Sequence, residues 1–388
     1  MQNSIDTARD ASMIGARPQP PSGPEHFPVN RRFQGIPSFT VSNGGRLYAT
    51  WYTGGPTECV ENYVTLAVSD DGGESWIEPV QVIDHPDPRV RSFDPCLWTA
   101  PDGAVWWFWT QSYCQTDFNI GDGRCGVWMV RCAEPDAGLP RWTPPVRIAN
   151  GSLWNKPVVL ENGEWAFPTA LWNDLGGPTK PVIPELRHEK FSNITISPDC
   201  GKTFFRRGGA DIPDRCFDEH HLLELKDGRL WMTVRTNYGA GQSFSSDGGA
   251  TWTPGEPASF GGPNSRFFIR RLRSGRILLV THIDREASNW REKPGRPRNN
   301  LIARLSEDEG RSWIGGLLLD ERDGVSYPDG FEDREGNLHI IYDHGRTEAG
   351  EILRARFREE DILAGRPVSA AALFKRRISS FFPVESAK

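Results

Sequence analysis

The sequence predicts an all-β protein, a six-bladed β-propeller, and three observations lead there. First, its 388 residues include 40 Gly, 31 Pro, 15 Trp and 20 Phe, with 37% hydrophobic residues. Frequent turn-formers and frequent aromatics suit many short strands separated by tight turns. Second, one turn phrase occurs four times, as "SDDGGESW" (69–76), "SPDCGKTF" (197–204), "SSDGGATW" (245–252) and "SEDEGRSW" (306–313). Third, a turn glycine leading into an apolar strand occurs six times, at Gly45, Gly103, Gly163, Gly228, Gly275 and Gly336.

Each of these six glycines follows another apolar run, such as "IPSFTV", "KPVVLE" or "HLLELK". Strand, short Gly turn and strand make a hairpin. One further strand leads to the Ser/Asp/Gly phrase, as in "YVTLAVSDDGG". That phrase therefore joins the outer two strands of a four-stranded unit. Its aspartate can accept backbone N–H groups ahead of it, and its glycines take positive φ. Trp76, Trp252 and Trp313 are expected to wedge into the core at the edges of these units. "EPDAGLPRW", ending at Trp142, reads as a degraded fifth copy. Six such units, arranged radially, form a propeller. Residues 1–30 read as an N-terminal extension, part of it without fixed structure, and 31–388 as one propeller with a short C-terminal segment. The strand that closes the sixth unit comes either from the N-terminal segment or from "ALFKRRISS".

A formal charge of −6 argues against a general nucleic-acid binder. The seven cysteines include no C-x-x-C pair, which fits structural thiols better than a disulfide framework or zinc site. The first 24 residues lack the apolar run of a leader, and no segment approaches a membrane span. The expectation is a cytoplasmic chain as written, without membrane contact, cofactor or metal.

In a propeller, the innermost strands line the channel and their leading loops supply a site. Polar residues gather at six such places: "RRFQGIP", "VRSFDP", "LWNKP", "CFDEHH", "PNSRFF" and "GVSYPDG". Strand alternation through "DEHH" sets Glu219 and His221 against Asp218 and His220. The "VWWFW" run (105–109) reads as core, whereas Trp154 and Trp172 are candidates for a sugar-facing surface. Asn155 and Lys156 are candidate contacts to substrate hydroxyls or a carboxylate.

The turn phrases and the segment "SYPDGFEDREGNLHIIYD" together resemble the sialidase (neuraminidase) superfamily, whose propellers carry these turns as Asp boxes. The resemblance covers roughly residues 32–358. It implies that Tyr327 is a nucleophile, that Glu219 is its base, and that Arg235 and Arg298 hold a substrate carboxylate. A neutral tyrosine suits an anomeric carbon that bears a carboxylate, which would repel an anionic nucleophile. Arginine forks suit the carboxylate itself.

Two departures stand out. Where the family has Arg-Ile-Pro, this chain has Gly35 before Ile36 and Pro37. One carboxylate-binding arginine is thus missing unless Arg31, Arg32, Arg266 or Arg270 reaches in. The first-blade loop "YTGGPTECVENY" contains no aspartate to serve as general acid, leaving Glu58 or Glu61 of that loop, or Asp94, with Glu58 and Asp94 ranked first. The expected function is a retaining exo-glycosidase acting on a terminal acidic sugar. The alternatives are a propeller lyase, with Tyr327 or a histidine near His221 as base, or a glycosidase, either acting on uronate-containing glycans, and a carbohydrate-binding propeller without catalysis.

Overall fold

The computed structural model describes residues 11–114, 124–172, 183–282 and 298–381. They form six antiparallel sheets, each built from consecutive segments of chain. The first strand of each sheet lines the channel. These inner strands are Gln34–Val41, Val90–Thr99, the interrupted pair Ser152–Leu153 and Val158–Val159, His221–Glu224, Phe268–Arg271 and Val325–Glu332. Five sheets have four strands, and the third is divided at its inner edge by "WNKP".

The hairpin turns explain the repeated glycines. All six hold φ between +82° and +95°. At Gly45, Gly163, Gly228, Gly275 and Gly336, nothing lies within 4 Å of where a Cβ would stand. Backbone conformation, not crowding, therefore requires glycine there.

The four outer turns repeat one hydrogen-bond set. In the first, Ser75 N–H and Oγ–H donate to Asp71 at 2.9 and 2.5 Å, while Gly73 N–H donates to Ser69 Oγ at 2.8 Å. Asp199, Asp247 and Asp308 accept the equivalent bonds from Thr203, Thr251 and Ser312. These bonds hold the Asp199, Asp247 and Asp308 carboxyls down to about 2, led by the hydroxyl of the residue four positions on. The turns are folding devices. Trp76 packs 5.9 Å from Phe39 and Trp313 5.6 Å from Phe260, at the blade edges. In the fifth turn, Asp136 instead accepts Gly44 N–H at 3.0 Å, tying blade two to the first hairpin of blade one.

The closing strand is Leu373–Ser379, the fourth of blade six, so the "ALFKRRISS" segment supplies it. The ring is sealed between blades six and one by polar contacts: Ile36 N–H donates to Asp343 at 2.8 Å, Phe39 N–H to Asp329 at 3.0 Å, and Gln34 N–H to the Arg346 carbonyl at 3.0 Å. Residues 11–30 pack against blades one and two. Gln19 bridges to Val82, and Gln111 holds Ala16 N–H and the carbonyls of Ser12 and Ile14. Trp106, Trp107 and Trp109 are fully buried, as core residues. All seven cysteines are free thiols, and no helix among the described residues is long and apolar enough to cross a membrane.

Candidate active site

Three inner strands begin with the same local device, a residue before proline in left-handed conformation inside a β-bulge. Ile36 (φ +58°), Asp94 (φ +47°) and Tyr327 (φ +54°) precede Pro37, Pro95 and Pro328. The register of each inner hairpin slips at these points. A bulge turns a side chain out of its regular alternation. A positive φ at a β-branched residue or a bulky aromatic costs energy, and such strain collects at functional sites. Blade four achieves a similar result before its strand starts: Phe217, Asp218 and Glu219 all have positive φ, between +43° and +58°. The strand begins only at His221, so simple alternation through "DEHH" does not hold.

These devices bring Tyr327, Glu219 and Arg235 together. The Tyr327 hydroxyl donates to Glu219 Oε1 at 2.7 Å and accepts from an Arg235 terminal nitrogen at 2.9 Å. The same nitrogen lies 2.8 Å from Glu219 Oε1, and Arg235 Nε donates to Asn264 Oδ1 at 2.6 Å. Glu219 Oε2 is buried without a hydrogen-bond partner among the described residues. Burial, followed by the Glu219 charge, pushes the Tyr327 hydroxyl up to about 12, with Arg235, Arg298 and Arg346 pulling the other way. Burial opposes charge on Arg235, but Glu219 and Tyr327 lift it well above the ordinary value.

Three further guanidinium groups lie over the Tyr327 ring: Arg346 at 4.3 Å, Arg298 at 5.3 Å and Arg266 at 6.0 Å. Among the described residues the Arg298 guanidinium bonds only the Asn264 carbonyl, at 3.4 Å, and burial lowers its pKa. Arg346 was not among the sequence candidates. It lies in the turn between the second and third strands of blade six, held by Asp343 at 2.9 Å and Ser326 Oγ at 3.0 Å. A Cβ on Gly35 would stand 2.8–2.9 Å from the Arg346 side chain. Gly35 therefore leaves the space that Arg346 fills. None of the four substitutes expected from sequence does this. Arg31 pairs with Glu78, and among the described residues no hydrogen bond or ion pair places Arg32 at the site. Arg270 lies at the opposite end of its inner strand from the site.

Arg266 is buried, donating to Asn155 Oδ1 at 2.9 Å and the Trp154 carbonyl at 2.7 Å. Asn155 in turn donates to the carbonyls of Glu219 and His220 at 2.7 and 3.0 Å. Lys156 donates to Asp329 at 2.5 Å and to the Leu97 carbonyl at 2.9 Å. Protein partners thus occupy the polar groups of Asn155 and Lys156 and most of those of Arg266, beneath and behind Glu219 and Tyr327. The two tryptophans are buried as well, stacked on each other at 5.4 Å. Trp154 Nε1 donates to Asp94 at 2.7 Å and Trp172 Nε1 to the Phe217 carbonyl at 3.1 Å, so they brace the site instead of presenting a free face. The loop beyond Trp172 lies outside the described residues.

The two acid candidates occupy different surroundings. Asp94 is 6% exposed, and burial pushes it up to about 7, with Arg91 opposing and Glu58 adding to the rise. Glu58 is exposed at the mouth, 3.4 Å from the Arg346 guanidinium. His220 and His221 are buried, each with Nε2 on a backbone carbonyl (Asn193 and Phe267), and desolvation lowers them to about 4 and about 3. No group of three or more His, Cys, Asp or Glu among the described residues could hold a metal ion.

Comparison with solved structures yields propellers of low sequence identity. The Hadza microbial sialidase Hz136 superposes with a TM-score of 0.60 at 18% identity, over 80% of this chain and 63% of that one. The present chain thus spans less than two thirds of that protein's length. NanB sialidase from Streptococcus pneumoniae gives 0.62 at 12% identity, over 89% and 72%. An alpha-L-arabinanase from Penicillium chrysogenum gives 0.57 at 16%, over 90% and 99%. At these identities the likeness establishes the fold. No curated protein matches the sequence. The profile of the BNR repeat-like domain matches residues 45–340, well over half of the sequence, and the chain belongs to that family.

Proposed function

We propose that the protein is a retaining exo-glycosidase that removes a terminal acidic sugar, a sialic acid or a related sugar whose anomeric carbon carries a carboxylate. One observation carries this reading. Arg235, Arg298 and Arg346 converge on a tyrosine whose hydroxyl already donates to a buried carboxylate. Three guanidinium groups around one neutral nucleophile favour an anionic substrate, and paired charge-assisted bonds would orient its carboxylate. The sialidase and arabinanase neighbours are consistent with glycosidase chemistry on this fold.

In the proposed reaction, Tyr327 Oη bonds to the anomeric carbon as its proton passes to Glu219. The bond to the leaving oxygen breaks, and that oxygen takes a proton from Asp94. Water then attacks the glycosyl-tyrosine, giving its proton to Asp94, while the tyrosine recovers its own from Glu219. Asp94 is favoured as acid because its carboxyl stays protonated up to about pH 7, near the useful range for general catalysis. Asn155, Lys156 and Arg266 serve as supports. The lyase alternative gains nothing from His221, whose ring nitrogen faces a backbone carbonyl.

The test is release from a fluorogenic α-sialoside, a β-glucuronide and a neutral α-L-arabinoside, by the native protein and by Tyr327→Phe. Release from the sialoside and not from the glucuronide or arabinoside, falling at least about a hundredfold in the variant, is expected. Preferential release of arabinose, or a variant that retains full rate, would overturn the assignment.

A further inference from the structure

The channel has two mouths. Along the inner strand of blade six, Tyr327 faces the site just described, Asp329 lies midway, and Glu332 reaches the opposite end. Midway, Lys156, Asp329 and Ser38 form a buried polar plug, with Lys156 and Ser38 donating to the same Asp329 oxygen at 2.5 and 2.6 Å. Beyond the plug, the far mouth opens into a cavity of about 490 Å³ walled by Thr40, Trp98, Thr99, Arg270 and Glu332 among others. That volume falls within the range of small-molecule sites.

The charges around this cavity do not balance. Arg271 forks onto Glu309 at 2.6 and 2.9 Å, Arg273 pairs with Glu332 at 3.2 Å, and Lys156 is committed to Asp329. Asp333 is occupied by Asn337 and His339, each at 2.8 Å. Arg334 donates to Asn43 Oδ1 at 2.9 Å, Glu335 also lines the wall, and Arg270 borders the cavity with no hydrogen bond or ion pair among the described residues. Arg270 is half-buried, and burial draws its pKa below the ordinary value against the opposing pull of Asp329 and Glu332. The Thr40 and Thr99 hydroxyls, 2.8 Å apart, lie on the same wall, and Trp98 supplies an apolar side. An unpaired guanidinium fork in a recessed pocket matches a carboxylate or phosphate, which accepts two parallel N–H bonds.

We propose that the far mouth is a second binding site, for a small oxyanion such as a sugar carboxylate or phosphate, held by Arg270 and separate from the Tyr327 site. This inference does not depend on the activity proposed above. Calorimetric titration with glucuronate, inorganic phosphate and neutral methyl glucoside, on the native protein, Arg270→Gln and Arg298→Gln, tests it. At least one anion should bind, with affinity reduced tenfold or more in Arg270→Gln and a far-mouth component surviving in Arg298→Gln. Methyl glucoside should not compete. Tighter binding of glucuronate would identify a sugar acid as the ligand class, and tighter phosphate a free or esterified phosphate. Hydrolysis by Arg270→Gln should match that of the native protein. Anion binding unaffected by Arg270→Gln, or no binding by either anion at 10 mM, would overturn the proposal. Should the variant fold poorly, native crystals soaked in selenate give the same answer. An anomalous peak beside Arg270 supports the site, and peaks confined to Arg298 and Arg346 contradict it.

Discussion

Gly35 and Arg346 form a pair at the scale of single residues. The glycine lacks the one atom that would collide with the arginine at 2.8–2.9 Å. Gly35→Ala should therefore displace Arg346 and raise KM for an acidic substrate about tenfold or more, with little effect on the melting temperature. Arg346→Ala should do the same, since a lost charged hydrogen bond is worth ~1.5–3 kcal/mol. An unchanged KM in both variants would remove Arg346 from the substrate site. Asp94 makes a prediction about pH. Its folded pKa of about 7 lies above its ordinary value, so the neutral carboxyl favours folding below the unfolded pKa. That contribution fades as pH rises through about 7. Asp94→Asn should consequently gain stability relative to the native protein between pH 5 and 8, as read from denaturant midpoints. In turnover, it should lose far more rate on alkyl glycosides than on aryl glycosides with good leaving groups, because only the former need the proton. The same pattern in Glu58→Gln and not in Asp94→Asn would transfer the role to Glu58.

Elements of the fold show how much of the molecule could be read in the chain. The hairpin glycines and outer turns were legible because each is a local conformational need expressed in adjacent residues. Asp71 demonstrates this, accepting bonds only from residues within four positions. Asp247→Ala should cost roughly 1–2 kcal/mol of stability, as a lost turn cap would, and leave KM unchanged. Tyr327 and Glu219 were singled out through family resemblance, and the bulges that aim Tyr327 and Asp94 left a trace as X-Pro in an inner strand. Arg346 was not legible. It follows the second strand of blade six and reaches Gly35 only because the ring closes, a contact between residues 311 positions apart whose only trace in sequence is the missing side chain. Asn155 and Lys156 were misread for a related reason. Polar residues at a channel entrance look available until the strand is placed, and here Lys156 points into the ring's own charge network.

For the whole molecule, that network joins blades distant in sequence. Asp329 of blade six accepts bonds from Ser38 and Phe39 of blade one and from Lys156 of blade three, while Lys156 also holds the Leu97 carbonyl of blade two. Burial alone would raise the Asp329 carboxyl, but Lys156 and Arg266 overcome it and hold the pKa below the ordinary value. Lys156→Met strands this buried carboxylate and should cost about 3–5 kcal/mol in denaturant unfolding. The double variant Lys156→Met, Asp329→Leu should recover part of the loss. Equal stability in the native protein and Lys156→Met would show that the plug does not hold the ring together. The same ring fixes the distance between Tyr327, on blade six, and Glu219, at the head of blade four, so their hydrogen bond rests on closure of the whole circle.

The central claim, that Tyr327 is the nucleophile for an acidic sugar, is tested most directly by trapping the intermediate. The protein would be incubated with a 3-fluorosialosyl fluoride, digested, and its peptides analysed by mass spectrometry. A fluorosialosyl adduct on Tyr327 is predicted, absent in Tyr327→Phe and slow to form in Glu219→Gln. An adduct on Asp94, Glu58 or Glu219, or hydrolysis of the reagent with no adduct on Tyr327 at any time, would contradict it.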